Sequence, residues 1–148
     1  MIFEMRINFL PPTLNDQIDF ARQSWQVSAR QKKYWTAKIC RFASTCDVKF
    51  SGQVWLEFHW YLKTFARDHD NVAAASKFIM DGLVAAAVIR NDNLCTISSP
   101  VVHYYHRAKK DEVLVRMAQN PDFLLDSFYK FNQFSSLALE KALQFVGV

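Results

Sequence analysis

Glycine is scarce in this 148-residue chain, which contains only three. The sequence has neither the glycine-rich loop of P-loop NTPases nor the dinucleotide-binding fingerprint, so we expect no nucleotide cofactor. Cysteine is equally scarce, and Cys40, Cys46 and Cys95 form no Cys-x-x-Cys pair. An odd count without that spacing argues against a disulfide framework and against a structural zinc site. We interpret the three cysteines as reduced thiols of a cytoplasmic protein.

Long hydrophobic runs are also lacking, and no segment has the length of a membrane span. The N-terminal MIFEMRINFLPP carries charges within its apolar run and is not typical of a signal peptide. A composition of 51% hydrophobic and 22% charged residues is that of one globular domain. The formal charge of +4 only weakly favours an anionic partner. The basic residues are more informative because six of them fall in an acid-free stretch: Arg22, Arg30, Lys32, Lys33, Lys38 and Arg41.

Hydrophobic periodicity predicts strands alternating with helices. The predicted elements are a strand at 3–10, one or two helices in 16–44, a strand at 49–63, a helix at 72–87, strands at 96–107 and 112–117 forming a hairpin across 108–111, and a helix at 122–146. Aromatic residues on both faces of the strand at 49–63 predict a central position in the sheet. We therefore expect an α+β fold, a single domain with helices packed on a mixed sheet. Residues 1–118 would form this domain, and 119–148 a C-terminal helical extension packed on it.

Acidic residues after the central strand are the candidate site. In an extended segment Asp68 and Asp70 would project to the same side, with His69 facing away. Asp92 lies in a polar turn after the next helix, and it can join the pair only if the chain returns along the sheet. Clustered carboxylates need a cation, and Mg²⁺ prefers such oxygen ligands. Helix capping by Asp70 or Asn71, and an ordinary turn at Asp92, are the alternative interpretations.

Other charged residues could assist that site. Lys77 and Asp81 are four residues apart on the predicted helix, so they form either a surface ion pair or a phosphate-contacting lysine with an orienting acid. The basic stretch at 22–41 is either a solvated helix face or a phosphate-binding surface, and Lys109 and Lys110 could contribute to the latter. The four histidines have no metal-ligand spacing on any one predicted helix, and we interpret them as structural or surface groups.

These motifs resemble the RusA family of Holliday-junction resolvases, in its phage-type form. The resemblance rests on Arg67-Asp68-His69-Asp70-Asn71, then Lys77-Phe78-Ile79-Met80-Asp81-Gly82-Leu83, then Asn91-Asp92, after an apolar strand, prolines and Leu14-Asn15 opening a basic helix. It spans roughly residues 3–117. The interval from Asn71 to Lys77 is three residues longer than in the best-known form, just under one helical turn.

The resemblance implies a RusA-like fold and a hydrolase acting in DNA recombination and repair. Asp68, Asp70 and Asp92 would be the catalytic metal ligands for Mg²⁺, or Mn²⁺ in its place, with Lys77 as a further catalytic residue. Asp81 and Asn71 would orient these groups. The DNA-binding residues would be Arg22, Arg30, Lys32, Lys33, Lys38, Arg67, Lys109 and Lys110.

The implied partners are branched DNA and a second copy of the chain, in a bacterial or phage-encoded cytoplasmic enzyme. Three other functions fit the same residues: a metal nuclease acting on flaps, forks or single strands, a DNA-binding module without catalysis, and an interaction protein in which the acids are only caps. The nuclease mechanism depends on the three acids meeting at one ion.

Overall fold

The computed structural model describes residues 2–98, 100–121 and 124, and the predicted helix at 122–146 falls almost entirely outside them. Within the described residues, the protein is one α+β domain with helices packed on a four-stranded mixed sheet, as predicted. The elements are β1 (Ile2–Ile7), α1 (Leu14–Gln23), α2 (Trp25–Ser44), β2 (Trp55–Leu62), α3 (His69–Ala73), α4 (Ser76–Ala85), β3 (Val102–Arg107) and β4 (Glu112–Ala118).

Ser24 divides the basic helical region into two helices. Its backbone is extended, and its side-chain oxygen accepts a hydrogen bond from the Val27 N–H at the start of α2. This is the usual way in which a serine begins a helix, because it satisfies an otherwise unpaired N–H group. Of the two predictions, one helix or two, the second is therefore confirmed.

The strand order is β1-β4-β2-β3, so β2 is central as predicted. β4 is antiparallel to both β1 and β2, whereas β3 is parallel to β2. The predicted β3–β4 hairpin is wrong because β2 lies between these strands. The connection at 108–111 crosses the end of β2, where Lys63 N–H donates to Asp111 Oδ1 at 2.8 Å.

One face of the sheet forms the core with the helices. Alternate residues of β2, namely Leu56, Phe58, Trp60 and Leu62, are all buried there. Ile39 of α2 and Leu83 of α4 are fully buried in the same cluster. Gly82 brings α4 so close to α2 that a Cβ atom in its place would overlap the side chain of Ile39. The sequence β2-α3-α4-β3 is thus a parallel crossover, and its helices return along the sheet.

Candidate metal and DNA site

Asp68 and Asp70 lie at the beginning of α3, beyond the carboxyl end of β2. Asp68 is the residue that precedes the helix, and Asp70 is in its first turn. The expectation that both belong to an extended segment is therefore wrong, because the helix already begins at His69. Both acids are exposed, and Asp68 makes no side-chain capping hydrogen bond. Helix capping thus does not occupy the Asp68 carboxylate.

Contacts from two other elements hold α3 in place. The Tyr105 hydroxyl donates to the backbone oxygen of His69 at 3.2 Å, and the two rings stack with centroids 4.7 Å apart. Asn71, expected to orient the metal ligands, instead accepts a hydrogen bond from the Asn15 N–H at 3.0 Å. Burial raises the pKa of Tyr105, and the charge of Asp70 raises it further. The Asp70 carboxylate is therefore close enough to Tyr105 to act on it electrostatically.

Asp92 lies at the opposite end of the sheet. Its neighbours Asn91 and Asn93 line a hollow with Gly52, which precedes β2. Val54 N–H donates to Thr96 O at 2.8 Å and fixes this loop at the amino end of β2. β2 has eight residues, and at about 3.3 Å per residue its ends are roughly 23 Å apart. Within one chain, Asp92 therefore does not join the other two acids.

The same conclusion follows from the side-chain clusters. Among residues 2–98, 100–121 and 124, no group of three His, Cys, Asp or Glu side chains has an arrangement that could hold a metal ion. The physical reason is the crossover: the helices after Asp70 run back along the whole sheet before the chain reaches Asp92. Asp68 and Asp70 therefore lie at one end of the sheet, and Asp92 lies at the other.

Lys77 and Asp81 form the predicted i,i+4 ion pair on α4. Lys77 Nζ lies 3.6 Å from Asp81 Oδ2, and Lys32 Nζ of α2 lies 3.8 Å from the same oxygen. The Asp81 side chain is only 17% exposed, whereas the two lysine side chains are 54% and 58% exposed. One shielded carboxylate therefore positions two accessible ammonium groups.

Basic residues also lie near Asp68 and Asp70. Lys109 and Lys110 belong to the connection that crosses the carboxyl end of β2, and Lys110 pairs with Glu112 at 2.8 Å. Arg67 Nη1 lies 3.5 Å from Asp111 Oδ2 in that same connection. The predicted DNA-binding residues at 67, 109 and 110 are therefore at the same end of the sheet as Asp68 and Asp70.

The basic residues of α1 and α2 have varied surroundings. Arg22 pairs with Asp19 at 3.6 Å, and Arg30 and Lys33 are exposed on α2. Lys38 Nζ lies 4.0 Å from the centroid of the Phe9 ring, a cation–π geometry that engages part of its charge locally. The stretch at 22–41 is thus not one uniform surface.

A polar network on the sheet face away from the helices was missed by sequence reasoning. His59 bonds to His106 at 2.9 Å and to Glu57 at 3.0 Å, and Arg116 donates to Glu57 at 2.7 Å. Burial alone would raise the pKa of Glu57, but the hydrogen bonds from His59 and Arg116 outweigh it and lower that pKa. The alternation of β2 already placed Glu57 and His59 on one side, which was the available signal.

His103 belongs to the opposite face, since it lies three residues before His106 on the same strand. Trp60 Nε1 donates to His103 Nδ1 at 2.9 Å, and burial lowers the pKa of His103. His59, His103 and His106 therefore act as structural groups that connect β2 to β3.

The chain matches no protein-family model and no curated protein. Its helices, over the part of the chain that the structure describes, include none with the length and apolarity needed to cross a membrane.

Proposed function

We propose that the protein is a Mg²⁺-dependent endodeoxyribonuclease that resolves four-way DNA junctions, in the manner of the RusA family it resembles. The observation that carries this proposal is the pairing of two exposed carboxylates, Asp68 and Asp70, with basic residues at the same end of the sheet. The enzyme would act in recombination and repair, as a cytoplasmic protein of bacterial or phage origin.

Asp68 and Asp70 suit a magnesium ion that also contacts DNA. Mg²⁺ usually takes one or two protein carboxylates and completes its shell with water and substrate phosphate. Bound there, it would supply an activated water and stabilise negative charge on the phosphate. Arg67 and Lys110 would position the DNA strand by contacts to its backbone, which give affinity without base specificity. Manganese would satisfy the same oxygen ligands.

Asp92 can contribute to this ion only from a second copy of the chain. A two-fold axis that sets two sheets side by side in opposite directions brings the amino end of one next to the carboxyl end of the other. Asp92 of the partner subunit would then complete each Asp68–Asp70 pair. Such a homodimer has two equivalent sites, as paired cleavage of a junction requires.

A synthetic four-way junction tests the activity directly. We expect Mg²⁺-dependent cutting by the full chain, and we expect Asp68→Asn and Asp70→Asn to slow it by about 100-fold or more, because several kcal/mol of charge stabilisation is lost. Asp19→Asn, which removes an exposed carboxylate on α1, is the matched control and should cut normally. Absence of metal-dependent cutting by the wild type, or normal cutting by Asp70→Asn, would refute the proposal.

A DNA-binding protein without catalysis is the second candidate, and the separation of Asp92 from the other acids favours it. It predicts tight junction binding with no cleavage in either magnesium or manganese. A panel of junctions, flaps, forks and single strands separates this candidate from nucleases of other specificity, since each nuclease would cut its preferred member of the panel.

A further inference from the structure

A hollow of about 330 Å³ lies between α1, α2 and α4. The side chains that line it include two lysines, two phenylalanines, a serine and a glutamine. These residues are Lys32, Lys77, Phe20, Phe78, Gln17 and Ser28. Cationic and aromatic walls in one hollow fit a ligand that carries both a negative charge and a flat ring.

The cationic wall retains hydrogen-bonding capacity. Asp81 Oδ2 lies 3.6 Å from Lys77 Nζ and 3.8 Å from Lys32 Nζ, and it has no hydrogen-bond partner among the described residues. These distances are ion-pair contacts that are too long for hydrogen bonds. Two ammonium groups against one carboxylate leave an excess positive charge, and their N–H groups remain available for an anion. Phosphate oxygens are the natural acceptors for lysine.

The aromatic wall suits a nucleobase. Phe78 is almost fully buried and forms a fixed surface, whereas Phe20 on α1 is only partly buried. Stacking of a base on an aromatic side chain is tolerant of sequence, because every base has a π face. The phenyl ring of Phe20 is therefore the accessible group that a base would contact.

The hollow adjoins the proposed metal site. Gln17 Nε2 donates to the backbone oxygen of Ala74 at 3.2 Å, so α1 spans from this hollow to α3. Lys77 follows Asp70 by seven residues, about 10 Å along a helical path. A nucleotide in the hollow would thus be a near neighbour of the phosphate held at Asp68 and Asp70.

We propose that this hollow holds one unpaired nucleotide of a DNA strand, with its phosphate on Lys32 and Lys77 and its base against Phe20. The inference rests on the proposed action on branched DNA and extends it, because unpaired nucleotides occur where strands exchange. Opening a base pair costs a few kcal/mol unless the base is already unpaired, so such a hollow would select branched DNA over continuous duplex.

The test uses the full chain, without divalent metal, and a duplex carrying one bulged 2-aminopurine. We expect its fluorescence to rise on binding, because the base leaves the neighbouring bases whose stacking quenches it in the free duplex. Phe20→Ala should abolish most of that change and weaken binding about tenfold, a typical effect of losing one stacked base. Lys32→Gln should weaken binding of the bulged duplex more than that of the fully paired duplex. Lys33→Gln, which removes an adjacent exposed charge, is the control and should weaken both duplexes equally.

Several outcomes would overturn the inference. These are an unchanged fluorescence on binding, equal effects of Lys32→Gln and Lys33→Gln on both duplexes, or binding of free 2-aminopurine deoxynucleoside monophosphate as tight as that of the bulged duplex. Because metal is absent, the assay is independent of cleavage. A rise in fluorescence without any junction cutting would support the hollow and refute the nuclease, and cutting without that rise would do the reverse.

Discussion

The Tyr105 hydroxyl donates to the backbone oxygen of His69 at 3.2 Å, and this bond links the edge strand β3 to the first turn of α3. Asp68 and Asp70 flank the bonded residue. A contact to the backbone between two proposed metal ligands restrains the segment that carries both of them. Tyr105 is therefore a positioning residue in the proposed nuclease.

We expect Tyr105→Phe to weaken Mg²⁺ binding severalfold, and to lower stability by about 1 kcal/mol for one lost hydrogen bond. The measurement is cleavage rate against Mg²⁺ concentration, together with urea unfolding. Tyr61→Phe removes the same hydroxyl group from a residue of β2 that points to the opposite face of the sheet. This variant should leave the metal dependence unaltered. An unchanged Mg²⁺ dependence in Tyr105→Phe would show that Tyr105 does not position the acids.

The pH dependence of stability should reflect His103. Burial lowers its pKa, and the Trp60 indole needs the unprotonated Nδ1 as its acceptor. As the pH falls below about 6.5, His103 becomes protonated in the unfolded chain before it does so in the folded protein. The stabilising contribution of His103 is therefore fully present above that pH and declines below it. His106 contributes in the same direction, since burial and then the charge of His59 lower its pKa.

His103→Asn tests this assignment because the amide oxygen can still accept from Trp60 but does not titrate. We expect the loss of stability between pH 7 and pH 5, measured by urea unfolding, to be smaller than in the wild type. The residual loss belongs to His106. An undiminished pH dependence in the variant would exclude His103 as its source.

Close packing of α2 on α4 requires Gly82. A Cβ atom there would overlap Ile39 Cβ and Cγ2 in the fully buried core. We expect Gly82→Ala to lower the free energy of unfolding by about 1–3 kcal/mol, the usual cost of overpacking, although alanine favours helix. Gly52→Ala is the control, because its Cβ would approach only the flexible Gln119 side chain, at 3.3 Å. Equal stability of the two variants would contradict this account.

Local patterns in the sequence predicted which segments form strands and helices better than they predicted which strands pair with each other. The alternation in 54–61 correctly predicted a strand, and aromatic residues on both of its faces predicted its central position, whereas Ser24 was not identified as the residue that begins α2. The short connection at 108–111 suggested a hairpin, but β4 is buried between β1 and β2. Pairing on both sides buries Val113, Val115 and Met117 completely. This gain depends on strands distant in sequence, which local spacing does not specify.

In the candidate site, too, local sequence predicted neighbouring residues but not contacts between distant segments. The residue types and their order predicted Asp68 and Asp70 as a pair, and they are adjacent at one helix start. The spacing of Asp92 did not reveal at which end of the sheet it lies, because that depends on the direction in which the crossover helices run. Tyr105 had no sequence signal at all, since its contact with His69 joins segments 36 residues apart.

The final prediction concerns which subunit supplies Asp92. Asp70→Asn and Asp92→Asn should each inactivate the homodimer. In a mixed dimer of the two variants, one site would contain both substitutions and the other would contain neither. We expect the unselected product of equimolar co-expression to have about a quarter of the wild-type site activity, since half of the dimers are mixed and each has one intact site of two. Selection of the mixed dimer through two affinity tags should raise this to about half.

The product distinguishes this arrangement from a site built within one chain. A purified mixed dimer with one intact site should nick a four-way junction on a single strand and should not produce paired cuts. If both acids acted from the same chain, each site of the mixed dimer would carry one substitution and no activity would return. Normal cutting by Asp92→Asn alone would instead show that Asp68 and Asp70 suffice, as their separation from Asp92 within the chain allows.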